Sequence, residues 1–219
     1  MFNEEKEKLT FKLLKDFNKA IIDFDMIRPN DHIAVAVSGG KDSLCLLELL
    51  HYWQKNAAYG IKLTAIHILG DANGPFERAH LPLINWFEDK EYAHVMEPLK
   101  IKANEKLPMN CQRCTWNRRR TLFEIAHEME CNVIAMGHHA DDLAQTTLMN
   151  VLYQGRAETM YPARDYFGGV FRMIRPMAYI QEKNLLRFSS FKDFPPPLEH
   201  CPQSNDTRRR FTADLIREL

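Results

Sequence analysis

The stretch Ser38-Gly39-Gly40-Lys41-Asp42-Ser43 separates the apolar run His32–Val37 (HIAVAV) from the leucine-rich segment Leu44–Trp53 (LCLLELLHYW). The first run reads as a short buried strand and the second as a helix, so the glycines occupy a strand-to-helix turn. Gly39 and Gly40 let the backbone turn sharply and approach a ligand with no Cβ in the way. The unpaired amides and dipole of the following helix favour an anion, and Lys41 adds a full positive charge. Ser38 and Ser43 add hydroxyl donors. The common phosphate loop, G-x-x-x-x-G-K-[ST], does not fit, because its first glycine would fall on Val35. The turn is therefore expected to hold a polyanion in some other way.

Outward from this turn, strands and helices alternate. Glu4–Phe24 carries Leu9, Leu13, Phe17, Ala20, Ile21 and Phe24 at helical spacing. Strands are predicted at Ile33–Val37, Lys62–Leu69, 93–99 (AHVMEPL), 131–137 (CNVIAMG) and 170–177 (VFRMIRPM). Helices are predicted from the glycine turn to Lys55 and over Pro75–Lys90, the latter interrupted by Pro82 near its start. Further helices are expected over Trp116–Met129, which would bury Leu122, Ile125, Ala126 and Met129, and from the GHHADD motif onward, with Ala144, Leu148, Val151 and Leu152 inward. Two more close the chain, Gln181–Lys192 and Asp206–Glu218, joined by a proline-stiffened connector. This order implies right-handed crossovers and an α/β, doubly wound parallel sheet of Rossmann-like type with flanking helices. Residues 1–28 are expected to form an N-terminal helical extension to a single domain over 29–219. Ligands of such sheets bind at the carboxyl ends of the strands, near which Ser38, His67, Gly137 and Cys111 fall.

The 219 residues are 45% hydrophobic, enough for a full core, and carry 29 basic and 29 acidic side chains. Zero net charge disfavours an unspecific nucleic-acid binder but permits a local basic face. No apolar run is long enough to span a membrane, and the charged, amphipathic N-terminus is no signal peptide. The expectation is a cytoplasmic protein with no membrane partner.

Five cysteines without a secretion signal argue against a disulfide framework. Cys111-x-x-Cys114 therefore calls for a metal or redox role. Its soft thiolates suit an iron–sulfur centre. Zinc with His138, His139 or His200 as a further ligand, a metal-free persulfide relay between Cys114 and Cys201, and a structural pair are the alternatives. Cys45 and Cys131 read as buried structural thiols. In GHHADD, one of Asp141 and Asp142 is expected to cap the helix. Against the plain reading of a solvated charged surface, Arg118, Arg119 and Arg120, with Arg156, Arg208, Arg209 and Arg210 as further candidates, could meet a phosphate-bearing partner. Successive residues cannot share one helix face, so only one or two of the first three would reach it.

SGGKDS resembles the pyrophosphate-loop signature of the N-type ATP pyrophosphatases. The ordered set CQRC, RRR, GHHADDLAQTTLMNVLYQGR, IRPMAYIQEKNLLRF and a late cysteine in HCPQSNDTRRRFTADLIREL resembles the tRNA 2-thiocytidine synthetase branch of that superfamily. The resemblance runs from about Asn30 to the C-terminus. It implies that Ser38, Gly39, Gly40, Lys41, Asp42 and Ser43 hold the β and γ phosphates of ATP, the future leaving group, with Mg²⁺ helping to neutralise them. It gives Lys41, Asp141 and Asp142 to catalysis, with one of the two aspartates on Mg²⁺ or the adenylation site, and His67, Gly137 and His138 to the nucleotide. It places a [4Fe-4S] cluster on Cys111, Cys114 and Cys201, leaving one iron open to hold sulfide.

The implied reaction adenylates a base carbonyl, at C2 of cytidine 32 in tRNA, and replaces its oxygen by sulfur. The partners would be tRNA and a cysteine desulfurase or other sulfide donor, and the chain is compatible with a homodimer. Two departures stand out: Leu198 occupies the place of a second late cysteine, and CPQS replaces C-G-S-Q. Thiolation of another base or of a small molecule, and a nucleotide-binding metal module without turnover, are the competing readings.

Overall fold

The computed structural model describes residues 2–75, 80–197, 211, 212 and 214–216. Helix α1 (Phe2–Asp23) opens the chain, and its stripe of Leu9, Leu13, Phe17, Ala20 and Ile21 is buried. Strand β1 (His32–Ala36) leads through the glycine turn into α2 (Lys41–Asn56), and β2 (Lys62–Asp71) follows. Next come β3 (Gly74–Pro75), α3 (Leu81–Asp89), β4 (His94–Pro98), α4 (Cys111–Glu128) and β5 (Val133–Ala135). Helix α5 (Ala140–Gln154), β6 (Ala163–Tyr166), β7 (Phe171–Ile174) and α6 (Glu182–Ser189) complete the chain up to residue 197.

The sheet runs β2, β1, β5, β7, β6, with β4 parallel beside Ala65–Leu69 of β2. Pairings β1–β2, β1–β5, β2–β4 and β5–β7 are parallel. The antiparallel pairs lie at the margins, β6 on β7 and β3 on the last two residues of β2. Side chains alternate across the sheet and feed two cores. Ile33, Val35, Val133 and Ile174 pack on one face with α1, α2, α3 and α6. Ala34, Ile66, Ile134 and Met173 pack on the other with Leu122, Ile125 and Ala126 of α4. Each fully buried Leu, Ile or Phe contributes about 1.5–3 kcal/mol relative to exposure. Helices on both faces of a mainly parallel sheet match the doubly wound expectation.

Several local expectations are corrected. Pro75 belongs to the β3 turn, and Pro82 lies in the first turn of α3, where its missing N–H is harmless, so it starts the helix instead of interrupting it. Helix α4 begins at Cys111, not near Trp116, because the Asn110 side chain caps it and accepts the Arg113 N–H at 2.9 Å. Met129 is the C-cap and is exposed. Helix α5 has no buried residue, and Ala144, Val151 and Leu152, expected inward, are exposed. Helix α6 is shorter than Gln181–Lys192, with Gln181 and Ser190 as its caps. Of the last predicted helix, residues 211, 212 and 214–216 are helical, and residues 206–210 lie outside the described residues. Among the described residues no helix is long and apolar enough to cross a membrane.

Candidate active site

Strands β1 and β5 are neighbours, yet the chain leaves β1 through α2 on one face and enters β5 from α4 on the other. That makes their carboxyl ends the point where the winding reverses, and such a point opens a crevice. A cleft of about 510 Å³ lies there. Val37, Ser38, Asp42 and Ser43 form one wall, and Met136, Gly137, His138 and Asp142 a second. Thr115, Arg118, Arg119 and Leu122 of α4 form a third, over a floor that includes Ala36, Ile66 and Ile68.

The glycine turn is held by its own serines. Gly39 has φ +87°, the left-handed region that favours glycine, and Gly40 is the N-cap of α2. Ser43 Oγ donates to the Gly40 carbonyl at 2.8 Å and accepts the Ser38 N–H at 3.2 Å. Ser38 Oγ accepts the Gly40 N–H at 3.3 Å. The Lys41 ammonium lies 2.9 and 3.1 Å from the two Asp42 carboxylate oxygens and 3.0 Å from Glu182 Oε1. Burial works against the Lys41 charge, but these two carboxylates outweigh it and raise the pKa. The ammonium is charged throughout the neutral range.

His67 lies beneath the turn and is not part of the cleft wall. Its neighbours Ile66 and Ile68 line the cleft, so alternation along β2 turns His67 to the opposite face. Its Nδ1 is 2.8 Å from the Val37 carbonyl, and a Cβ on Gly39 would lie 4.0 Å from its ring. Burial lowers its pKa, so the ring is neutral and donates Nδ1–H to Val37. Gly137 also packs against protein. A Cβ there would meet the Cα and N of Ser43 at 3.2 and 3.3 Å, so its bareness lets the end of β5 close onto the first turn of α2.

Neither Asp141 nor Asp142 is the N-cap of α5. That position is His139, with extended backbone at φ −115° and ψ 179°. Asp142, three residues on, reaches back to accept the His139 N–H at 3.0 Å. Asp141 Oδ2 accepts the Glu182 N–H at 2.7 Å and so ties the start of α5 to the start of α6. Asp142 and His138 line the cleft, whereas the buried His139 ring lies against the two carboxylates at 3.5 and 3.4 Å.

Cys111 and Cys114 occupy the first turn of α4, an i, i+3 spacing that puts them on one face. Cys111 is exposed and Cys114 half-buried, and the residue after Cys114 lines the cleft. Cys201 and His200 lie outside the described residues. Among the described residues no three His, Cys, Asp or Glu side chains gather as a metal site. Burial pushes the Cys45 thiol up to about 12 and Cys131 up to about 11, which suits structural thiols.

The arginines diverge. Arg118 donates to the Gly70 carbonyl at 2.5 Å and the Ile68 carbonyl at 3.3 Å, so it braces the end of β2. Arg120 pairs with Glu124 at 3.1 Å and lies over the Trp116 ring. Arg119 is exposed and faces the cleft. Arg156 is exposed just past Gly155, the C-cap of α5, and Arg208, Arg209 and Arg210 lie outside the described residues. Sequence reading missed Glu182, which is 141 positions from Lys41 and carries no local sign of that contact. It also missed Asn110, although an asparagine before a helix is a readable cap.

The PP-loop domain family model matches residues 6–218. The tRNA-cytidine(32) 2-sulfurtransferase of Erwinia tasmaniensis is 35% identical over 217 residues, spanning 96% of this chain and 69% of that protein. Its namesake in Klebsiella pneumoniae is 36% identical, spanning 97% and 69%. A similar solved fold is the U34-tRNA thiolase NcsA from Methanococcus maripaludis with its [4Fe-4S] cluster. It has a TM-score of 0.78 at 22% identity, over 98% of this chain and 73% of that one. The NAD+ synthetase of Burkholderia pseudomallei has a TM-score of 0.50 at 8% identity, over 98% and 91%. With a cleft built on SGGKDS and GHHADD and relatives of this extent, the chain belongs to the PP-loop domain family, among the tRNA-cytidine(32) 2-sulfurtransferases.

Proposed function

We propose that the protein thiolates tRNA at the expense of ATP, replacing the C2 oxygen of cytidine 32 by sulfur. The observation that carries this reading is the composition of one cleft. It joins the SGGKDS loop, the Asp142 end of α5 and the helix that bears Cys111 and Cys114. A carbonyl oxygen is a poor leaving group, and transfer of an adenylyl group to it makes AMP the leaving group instead. The loop amides, the α2 N-terminus and Lys41 favour the pyrophosphate that departs. Mg²⁺ accompanying ATP would offset the carboxylates of Asp42, Asp142 and Glu182 around the same spot. Arg119, exposed on the cleft wall, suits an RNA phosphate.

The donor set fits a thiolate-held group in type and spacing at Cys111 and Cys114, with Cys201 assigned as the third ligand. Such a [4Fe-4S] cluster supplies nucleophilic sulfur when bound. The protein's own part is to bind ATP, orient the base and hold charge where it develops. The sulfur would come from a cysteine desulfurase or another sulfide donor.

Two measurements test the reading. Anaerobically purified protein should hold iron and acid-labile sulfide, and colourless protein with stoichiometric zinc would overturn the cluster. Incubated with ATP, sulfide and unmodified tRNA, it should form 2-thiocytidine, AMP and pyrophosphate. Cys111→Ser should lose thiolation and retain ATP binding, whereas Lys41→Ala should weaken ATP binding and retain iron. The reverse pattern would mean the two halves of the site are misassigned.

A further inference from the structure

Lys41 is shared between two carboxylates of different origin. Asp42 is its chain neighbour and accompanies it in any conformation of the turn. Glu182 arrives from the first turn of α6, 141 positions away, and its contact exists only in the folded chain. The Glu182 backbone amide is itself held by Asp141 at 2.7 Å. Asp141 begins α5 beside Asp142, which faces the cleft. One residue thus links the glycine turn, α5 and α6.

The pair is also built to exchange partners. The Glu182 side chain is 44% exposed and that of Lys41 32%. The ion pair of Glu48 with Lys192, by contrast, is 5% and 11% exposed and further held by Tyr92 and Tyr52. That second pair cannot open without stranding buried charge, which is costly. The Lys41–Glu182 pair can open into solvent or onto an incoming anion at little cost.

We propose that Glu182 is the positioning residue for Lys41. It holds the ammonium beside the glycine turn and cedes it to a phosphate oxygen when nucleotide binds. This rests on the ATP-cleaving reading above and adds a residue to it. Glu182 competes with phosphate for Lys41, so it weakens nucleotide binding. It also keeps the ammonium on the α6 side of the turn, where Asp42 alone would draw it back along α2. The same residue should therefore lower affinity and raise the rate.

A double-mutant cycle tests this with Glu182→Gln, Lys41→Ala and their combination. The substitution to glutamine keeps the Asp141 bond, which uses the backbone. Affinity for α,β-methylene ATP should rise threefold or more on Glu182→Gln when Lys41 is present, and change less than twofold in the Lys41→Ala background. Pyrophosphate release by Glu182→Gln should show kcat about tenfold lower with no rise in KM for ATP. Glu182→Asp, which keeps the charge, should regain part of the rate. Equal effects of Glu182→Gln in both backgrounds, or a raised KM at unchanged kcat, would overturn the proposal. If Glu182→Gln does not fold, Glu182→Ala, which also removes the charge and keeps the backbone amide, runs through the same cycle with the same criteria. Absence of pyrophosphate release from the unsubstituted protein would refute the ATP-cleaving reading alone, because the binding cycle still decides the Lys41–Glu182 coupling.

Discussion

Helices α2 and α5 both start at the cleft and are opposite in construction. Helix α2 runs through the first core, burying Leu44, Leu46, Leu47, Leu49, Leu50 and Trp53. Helix α5 buries nothing, and its Val151, Leu152 and Tyr153 are 45%, 49% and 45% exposed. Met177, Ile180, Leu185 and Phe188 share a core with Val133 of β5 and Ile174 of β7, and no residue of α5 belongs to it. Helix α5 is instead fastened at its ends. Asp142 caps the His139 amide, Asp141 holds Glu182, the Ala140 N–H donates to Ile180, and Gly155 turns the chain at φ 65°. The phosphate loop thus sits on a platform fixed by packing, while the second acidic wall is fixed by polar contacts. A fixed platform suits a charge-stabilising site, because preorganised amides need not reorient as charge develops.

The contrast can be broken most sharply by truncation in α2. Leu49→Ala removes a fully buried side chain and should cost about 2–5 kcal/mol in urea unfolding. A cost under 1 kcal/mol would mean that α2 is not the platform.

Acid should strain the same helix next. Burial pushes His51 of α2 down to about 4, below the 6.5 of an exposed histidine. As pH falls through 6.5 the unfolded chain takes up a proton that the folded chain refuses. Stability is therefore full above that pH and is lost as pH falls toward 4. Allowing for partial exposure, the loss is about 1–2 kcal/mol. His51→Phe, which keeps a ring against Tyr92, should flatten unfolding free energy between pH 6.5 and 4 by that amount. An unchanged slope would remove His51 from the account.

At α5 the polar fastening should matter more than the apolar stripe. Asp142→Ala removes the cap contact and should cost about 1 kcal/mol, read as a lower thermal midpoint. Val151→Ser with Leu152→Ser should change stability by no more than about 0.5 kcal/mol. A loss as large as that of Leu49→Ala would show that this face is covered in solution.

The parts of the molecule that were legible in advance are those whose cause is local. The strand-turn-helix at SGGKDS, the α1 stripe and the alternation of elements follow from spacing and glycine placement within a few residues. Strand β6 was missed because Ala163–Tyr166 has no apolar alternation and exists as a strand through its pairing with β7. The start of α4 was missed because Cys-Gln-Arg-Cys has no helical stripe, and only the Asn110 cap marks it. The inward face assigned to α5 was a sound amphipathic reading that tertiary packing overrode. Gly137, expected at the nucleotide, lines the cleft, and its close approach to Ser43 is a further constraint that no local pattern carries.

By itself the sequence determined the winding of the sheet and the anion-holding turn, because each depends on periodicity or on backbone freedom at glycine. The tertiary structure alone decided which side chains surround Lys41. It turned His67 under the loop, committed Arg118 to the end of β2 and left Arg119 facing the cleft. It also brought Glu182 to within 3.0 Å of the ammonium. These outcomes depend on where distant elements meet, and a linear pattern of residue types does not contain the distance between them.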